Sequence, residues 1–297
     1  MPDPEYSPLT RRRFLRKLAG WGTVAGGAGV AGVGVYAWRI EPHWIEAVRR
    51  DLPIAHLPDA LAGKVLVQIS DLHIGPVVDE DYICGALARA CSLQPDILAI
   101  TGDFMTCHGS EQIGNVRRVL QHLRPARLAT VAILGNHDYG AGWRQPAVAE
   151  ELADMLRGQG LAVLRNATLD VAGLTIAGLD DYWSPCFAPY EVLPRLRPDR
   201  ANLVLCHNPD VVDKPVWAGY QGWILSGHTH GGQCKPPFLT PPILPINNHQ
   251  YHAGEIDLGD GRRLYVNRAL GYLRRVRFNV RPEITVFRLA PATEPQA

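Results

Sequence analysis

The sequence has no paired cysteine motif and no marked excess of either charge. Its six cysteines include no Cys-x-x-Cys pair, so neither a disulfide scaffold nor a thiolate zinc ribbon is indicated. Lys and Arg total 30 while Asp and Glu total 29, so the composition gives no sign of a nucleic-acid partner. Hydrophobic residues make up 46% of the 297, which excludes a disordered or low-complexity chain and allows a large core.

The first 38 residues have the pattern of an export segment. Thr10–Arg16 is strongly basic, and a stretch rich in glycine, alanine and valine follows from Leu18 to Trp38. The arginines before Phe14 and Leu15 resemble a twin-arginine signal, and the apolar stretch is also long enough to span a bilayer. We expect export by the twin-arginine machinery to the periplasm or the outer face of the cytoplasmic membrane. A basic segment leading into an ordinary buried helix is the alternative.

These patterns divide the chain into four parts. They are a twin-arginine signal or membrane anchor at 1–38, an amphipathic connector at 39–62, the main domain at 63–290 and a tail at 291–297. Without residues 1–38 the chain keeps 25 basic and 27 acidic side chains. This mildly acidic body predicts no specific nucleic-acid partner.

Within the body, short apolar runs are followed at once by polar residues. The runs are Lys64–Ser70, Asp96–Thr101, Leu128–Leu134, Asn202–Cys206 and Gly222–Ser226. Runs of this length are typical of strands buried on both faces. Helical patterns are found at 79–93, 111–123 and 146–159, and hairpin patterns at 168–179 and 251–266. The alternation predicts an α/β fold, a mixed two-sheet β-sandwich flanked by helices.

Carboxylates, imidazoles and one amide cluster just after these runs. They are Asp71, His73, Asp103, Asn136, His137, Asp138, His207, His228 and His230. Ligands bind at the carboxyl ends of strands in such sheets, and this donor set indicates a metal site with nitrogen and oxygen ligands. The donors are too many for one ion, so we expect two. Paired ions about 3.5–4 Å apart suit phosphoryl transfer, with a bridging hydroxide as the nucleophile.

The series D-x-H, G-D, G-N-H-D, H and G-H-T-H resembles the calcineurin-like metallophosphoesterase superfamily over about Lys64 to Gly232. Within that superfamily, the twin-arginine start, Gly227–Gln233 and Arg281–Ile284 are similar to the exported phosphodiesterases of the YkuE/YaeI type. The resemblance implies the calcineurin-like fold for the main domain and phosphoester hydrolysis for its activity.

The resemblance also implies seven ligands for two divalent ions. For the first ion it implies Asp71, His73 and His230. For the second ion it implies Asn136, His207 and His228. Asp103 would bridge the two ions, and manganese, iron and zinc all suit these ligands.

Two further residues are implied in catalysis. His137 would lie beside the scissile phosphate, where it protonates the leaving group or stabilises developing charge. Asp138 would orient His137. Many members of the superfamily carry a further acidic residue shortly after G-D; this sequence has Phe104–His108 there, and we expect His108 to be a surface residue.

We therefore expect a dinuclear metal-dependent phosphodiesterase, acting on a lipid, lipid-linked or envelope phosphodiester. A phosphomonoesterase is the first alternative. A non-catalytic, membrane-tethered metal-binding protein is the second, although metal storage alone needs neither His137 nor Asp138.

Three other features bear on the substrate. The apolar loop Pro236–Ile246 either rims the site and touches a membrane or lipid tail, or packs against a sheet edge. The arginines at 268, 274, 275 and 277 either bind a second phosphate or form a solvated strand face. Asp180 and Asp181 also follow an apolar run, and we expect them to form a turn rather than part of the site.

Overall fold

The computed structural model describes residues 27, 29–106 and 111–292. Its strands form two sheets, and its longer helices pack outside them. The strands are β1 (Glu46–Ile54), β2 (Val65–Ile69), β3 (Ile97–Thr101), β4 (Ala129–Ile133), β5 (Ala162–Val163), β6 (Ala167–Val171), β7 (Leu174–Gly178), β8 (Ala201–Leu205), β9 (Gly222–Ser226), β10 (Gly254–Asp257), β11 (Arg262–Val266) and β12 (Glu283–Pro291). Three α-helices lie between strands β2 and β5: α1 (Glu80–Ser92), α2 (Glu111–Leu120) and α3 (Pro146–Gly158).

The first sheet has the strand order β1-β12-β2-β3-β4-β5. Strands β2 to β5 are parallel, and the three helices connect them. Parallel strands need such crossovers, and two of the helices begin with a favourable residue: the Asp79 side chain caps α1, and Pro146 opens α3. The carboxyl ends of β2, β3 and β4 therefore lie side by side.

The second sheet has the order β10-β11-β9-β8-β7-β6. Its four central strands are parallel, and the two outer strands run antiparallel to their neighbours. This arrangement confirms both predicted hairpins, although residues 249–252 form a 3-10 turn before the second one. The ends of β8 and β9 are adjacent here, as those of β2 to β4 are in the first sheet.

The two sheets pack face to face around a buried aliphatic core. Tyr265 of the second sheet meets Phe287 of the first edge to face, with ring centroids 5.0 Å apart. Trp223 Nε1 donates to the carbonyl of Pro53 in the first sheet at 2.8 Å. The three helices cover the outer face of the first sheet, and irregular segments cover that of the second. The predicted two-sheet sandwich flanked by helices is confirmed.

The structure differs from the sequence interpretation in the segment 39–62. Strand β1 lies inside this segment and pairs in parallel with β12 along nine residues. β12 also extends to Pro291, the first residue of the predicted tail. The twin-arginine pattern lies outside the described residues. Among the residues that are described, no helix is both long and apolar enough to cross a membrane.

Candidate metal centre

Five of the predicted ligands have left-handed backbone conformations at the ends of their strands. Asp71, His73 and Asp103 have φ values of 52°, 47° and 56°. His228 and His230 have values of 71° and 52°. Asp and His adopt this region more readily than most residues, and outliers of this kind cluster at functional sites. The chain therefore turns sharply after β2, β3 and β9, and the side chains converge between the two sheets.

The first group of donors consists of Asp71, His73 and His230, whose ligand atoms all lie within 4.8 Å of one another. The two Nε2 atoms of His73 and His230 are 3.0 Å apart, and His230 Nε2 is 3.3 Å from Asp71 Oδ1. All three side chains are buried. This group is the set that the resemblance implies for the first ion.

The second group consists of Asp103, His207 and His228. His207 Nε2 is 3.2 Å from Asp103 Oδ2 and 3.3 Å from His228 Nδ1. Asn136 follows β4, and its buried Oδ1 has no hydrogen-bond partner among the described residues. A buried polar atom without a partner is costly, so the free Oδ1 of Asn136 fits a ligand atom.

Asp103 of the second group also faces the first group. Its Oδ2 is 3.5 Å from His73 Nε2 and 3.2 Å from His207 Nε2. Its Oδ1 accepts the backbone N–H of His137 at 2.9 Å, which holds the carboxylate in place. One carboxylate thus faces donors of both groups, as a bridging ligand must.

Backbone carbonyls orient the imidazoles of the second group. His207 Nδ1 is 2.7 Å from the carbonyl oxygen of Thr101, and His228 Nε2 is 3.1 Å from that of Pro245. Only a protonated ring nitrogen donates to a carbonyl, so each contact assigns the proton to that nitrogen. The other nitrogen keeps a lone pair directed into the site, which is how metal-binding histidines are commonly held.

Burial and mutual charge set the protonation of the donors. Burial lowers the pKa of His73 and of His228 to about 3, so both rings are neutral near pH 7. Burial alone raises the pKa of Asp71, but the charges of His230 and His207 outweigh it and lower that pKa. Burial also acts to raise the pKa of Asp103, but His207, His137 and His73 together outweigh it, and that pKa falls well below its usual value. Burial favours neutral His207, but Asp103 and Asp71 outweigh it and raise the pKa of His207 well above its usual value. Metal ions bind neutral imidazoles and ionised carboxylates, so His207 must release a proton when an ion binds.

His137 lies at the open side of these groups. One of its ring nitrogens lies within 4.8 Å of a ring nitrogen of His73 and a carboxylate oxygen of Asp103, and the side chain is only partly buried. Its Nδ1 makes a short contact with the carbonyl of Thr106, which leaves Nε2 free. The sequence did not point to Thr106, because any residue can supply a carbonyl.

Asp138 contacts the backbone around the site. Its Oδ1 accepts from the N–H groups of Phe104 and Met105 at 2.8 and 3.1 Å, and its Oδ2 accepts from that of Gly135 at 2.9 Å. These bonds join the turn after β3 to the turn after β4. Asp138 therefore supports His137 through the backbone, whereas the resemblance implied that it orients the ring.

Two tryptophans beside the site were not predicted from the sequence. Trp143 meets the His137 ring edge to face at a centroid distance of 6.3 Å, and Trp183 meets His228 at 4.6 Å. The two indoles stack on each other at 4.8 Å with an interplanar angle of 28°. They lie 40 positions apart and belong to different loops, so no local pattern connects them.

The two aspartates after β7 have different surroundings. Asp180 accepts hydrogen bonds from Tyr139 and Arg165 at 2.5 and 3.1 Å, so it anchors the loop that follows the G-N-H-D motif. Asp181 is fully buried, and burial raises its pKa to about 6, although the charge of His207 opposes the shift. Asp181 therefore lies within electrostatic reach of the second group.

The C-terminal arginines do not act as one group. Arg268 pairs with Glu283 and Glu46 at 2.5 and 2.8 Å. Arg277 is fully buried, and its guanidinium donates to backbone carbonyls that include that of Gly271 at 2.8 Å. Both side chains are already paired within the fold, which argues against their binding a second phosphate.

The apolar loop Pro236–Ile246 borders the site. The carbonyl of Pro245 contacts His228, while the side chain of Phe238 is fully exposed and that of Ile243 is 81% exposed. The loop therefore combines a contact with a candidate ligand and an outward apolar surface.

Comparison with known proteins relates the whole arrangement to one family. The family profile described as calcineurin-like phosphoesterase matches residues 64–232. Phosphodiesterase YaeI of Escherichia coli is 31% identical over 288 residues, which cover 95% of this chain and 99% of that protein. The uncharacterized metallophosphoesterase YkuE of Bacillus subtilis is 34% identical over 95% of this chain and 98% of its own.

A third relative is named as a pyrophosphatase. UDP-2,3-diacylglucosamine pyrophosphatase LpxG of Chlamydia muridarum is 27% identical over 305 residues, which cover 86% of this chain and 92% of that protein.

Proposed function

The chain belongs to the calcineurin-like phosphoesterase family and is a phosphoric ester hydrolase, and from that premise we propose that it is a phosphodiesterase with two divalent metal ions. One observation carries the proposal: the Asp103 carboxylate, which belongs to the second group of buried donors, also faces His73 of the first group. A protein that binds one metal ion needs no second group of histidines around the same carboxylate.

The residues fit a pair of ions by the chemistry of their donors. We assign the first ion to Asp71, His73 and His230. We assign the second ion to Asn136, His207 and His228, with Asp103 between the two. Bound divalent ions would lower the pKa of a water molecule and stabilise charge on the phosphate oxygens. Manganese, iron and zinc all suit such ligands.

His137 is the group we assign to proton transfer or to charge stabilisation at the leaving oxygen. Its Nδ1 is held by the carbonyl of Thr106, so Nε2 is the atom that faces the substrate. The backbone bonds of Asp138 keep the turn that carries His137 rigid. This arrangement supports catalysis over simple metal binding, which requires no positioned imidazole outside the ligand set.

The named relatives support a diester or pyrophosphate substrate rather than a monoester. YaeI is named a phosphodiesterase, and LpxG is named for a pyrophosphate bond in a lipid-linked nucleotide. By analogy with LpxG, we propose a lipid or lipid-linked substrate. The exposed side chains of Phe238, Leu239 and Ile243 beside the site support contact with a lipid tail or membrane.

We further propose that the protein is exported by the twin-arginine route and works at the outer face of the cytoplasmic membrane. The basic and apolar pattern of residues 1–38 supports this proposal. The exposed side chains of Trp38, Ile40 and Trp44 add apolar surface directly after that segment.

Paired artificial substrates test the activity. The full-length protein, purified in mild detergent, is stripped of metal, resupplied with manganese and assayed on bis-p-nitrophenyl phosphate and p-nitrophenyl phosphate. We expect manganese-dependent cleavage that favours the diester and is lost in Asp103→Asn, because the amide cannot provide the shared negative charge.

Each other outcome favours a different function. Faster cleavage of the monoester would indicate a phosphomonoesterase. Stoichiometric metal binding without cleavage of either substrate would contradict the proposal for these esters and favour a non-catalytic metal-binding protein.

A further inference from the structure

Trp143 and Trp183 form an indole pair beside His137 and the second donor group of the metal centre. Trp143 lies against His137, and Trp183 lies against His228. These two histidines belong to different parts of the site, so the pair extends along its side. A group attached to a phosphate at the metal centre would lie within reach of these rings.

The indole of Trp143 remains open to solvent although it lies beside a buried site. It is 37% exposed, whereas Trp217 and Trp223 in the core are 6% and 3% exposed. The core pair also donate their indole N–H groups to backbone carbonyls, as buried tryptophans usually do. Packing in the core therefore explains the positions of Trp217 and Trp223 but not that of Trp143.

The backbone of Trp143 has a conformation that is unfavourable for a tryptophan. Its φ is 59°, and the glycines on either side of Ala141 also have positive φ. A bulky residue is uncommon in this region and persists only where its surroundings enforce it. The side chain of Gln145 accepts the N–H of Ala141 at 3.2 Å, and the N–H of Trp143 bonds to the carbonyl of Gly140 at 3.1 Å.

We propose that the indole pair of Trp143 and Trp183 binds a planar ring of the nucleobase kind, carried by the organic group on the substrate phosphate. Flat aromatic rings stack on exposed indoles, and this interaction tolerates different bases because every base has a π face. The inference rests on the proposed function, because it takes the phosphate to be bound at the metal centre.

Binding of reaction products tests the pair without turnover. Calorimetry compares thymidine 5′-phosphate, inorganic phosphate and decyl phosphate on the manganese-loaded, full-length protein. We expect the wild type to bind thymidine 5′-phosphate about tenfold more tightly than the other two ligands. Trp143→Ala removes that advantage and leaves the affinity for inorganic phosphate unchanged, and Trp143→Phe keeps most of it.

Trp44→Ala serves as the matched control, because Trp44 is also exposed but lies against Arg281. Equal affinity for the three ligands, tighter binding of decyl phosphate, or binding of none of them overturns the proposal. So does an equal loss for all ligands in Trp143→Ala, which would assign the indole a purely structural role.

Hydrolysis of bis-p-nitrophenyl phosphate by the same preparations separates this proposal from the proposed function. A protein that cleaves the diester without preferring thymidine 5′-phosphate contradicts only the ring-binding proposal. A protein that prefers thymidine 5′-phosphate through Trp143 but cleaves no ester contradicts only the proposed hydrolysis.

Discussion

At the scale of single residues, a hydrogen bond to a backbone carbonyl determines which nitrogen of an imidazole can bind a ligand. The Thr101 and Pro245 carbonyls fix which nitrogens of His207 and His228 face the site, and Thr106 does the same for His137. Such contacts pre-orient the rings, so little conformational entropy is lost when a ligand binds.

Replacing His137 should separate catalysis from metal binding. We expect His137→Ala to lower kcat for the diester by about 10²- to 10⁴-fold, the usual contribution of a positioned acid or base. The metal content should stay that of the wild type, because the proposed ligands are untouched. Steady-state kinetics and elemental analysis measure the two quantities.

His122→Ala is the control, because His122 is exposed at the end of α2. A His137→Ala protein that loses a metal ion would instead make His137 a ligand, and one with full activity would remove it from the mechanism.

The candidate donors could be predicted from the sequence because their chemistry is local. D-x-H places a carboxylate and an imidazole within three positions, and G-H-T-H places two imidazoles within three positions. Both motifs directly follow recognisable strands. The sequence did not identify the Trp143–Trp183 pair or the true contacts of Asp138, because these depend on which loops meet in space. A backbone carbonyl partner such as that of Thr106 cannot be predicted from residue type, because every residue has a carbonyl.

At the scale of elements, two turns that follow strands contain a glycine with no space for a Cβ atom. A Cβ added to Gly135 would meet the carboxylate and the backbone nitrogen of Asp103. A Cβ added to Gly227 would meet Ser70 and Asp71. Gly135 thus lets the turns after β3 and β4 of the first sheet approach each other, and Gly227 does the same for turns of the two different sheets.

Gly135→Ala should therefore damage the site. We expect the displaced Asp103 carboxylate to weaken metal binding at least tenfold, as measured by titration with manganese, and activity should fall with it. Gly114→Ala is the matched control, because its added Cβ meets open space within α2 and alanine favours the helix by about 1 kcal/mol. Wild-type manganese affinity in Gly135→Ala would show that the turn has more freedom than the close approach suggests.

Strand prediction succeeded where burial is strong and failed at an edge. The apolar runs of β2, β3 and β9 mark them clearly, and their observed bounds agree within a residue or two. β1 has a mostly half-exposed, charged sequence with Pro53 near its end, so it was interpreted as a connector. Its partner β12 begins more than 200 positions later, and no local pattern encodes that pairing.

At the scale of the whole molecule, the sandwich explains why one site needs both sheets. The first sheet supplies Asp71, His73, Asp103 and Asn136 from its parallel strands, and the second supplies His207, His228 and His230. The donors of each assigned ion come from both sheets. The metal centre should therefore stabilise the sandwich as a unit, because ligands that bind only the folded state shift the folding equilibrium.

The number of metal ions per chain tests directly whether the site is dinuclear. The full-length protein and Asp103→Asn are saturated with manganese, freed of excess metal and analysed by mass spectrometry of the element against protein concentration. We predict two ions per chain in the wild type and fewer in Asp103→Asn. One ion or none in the folded wild type, or two ions in the variant, would contradict a dinuclear site shared through Asp103.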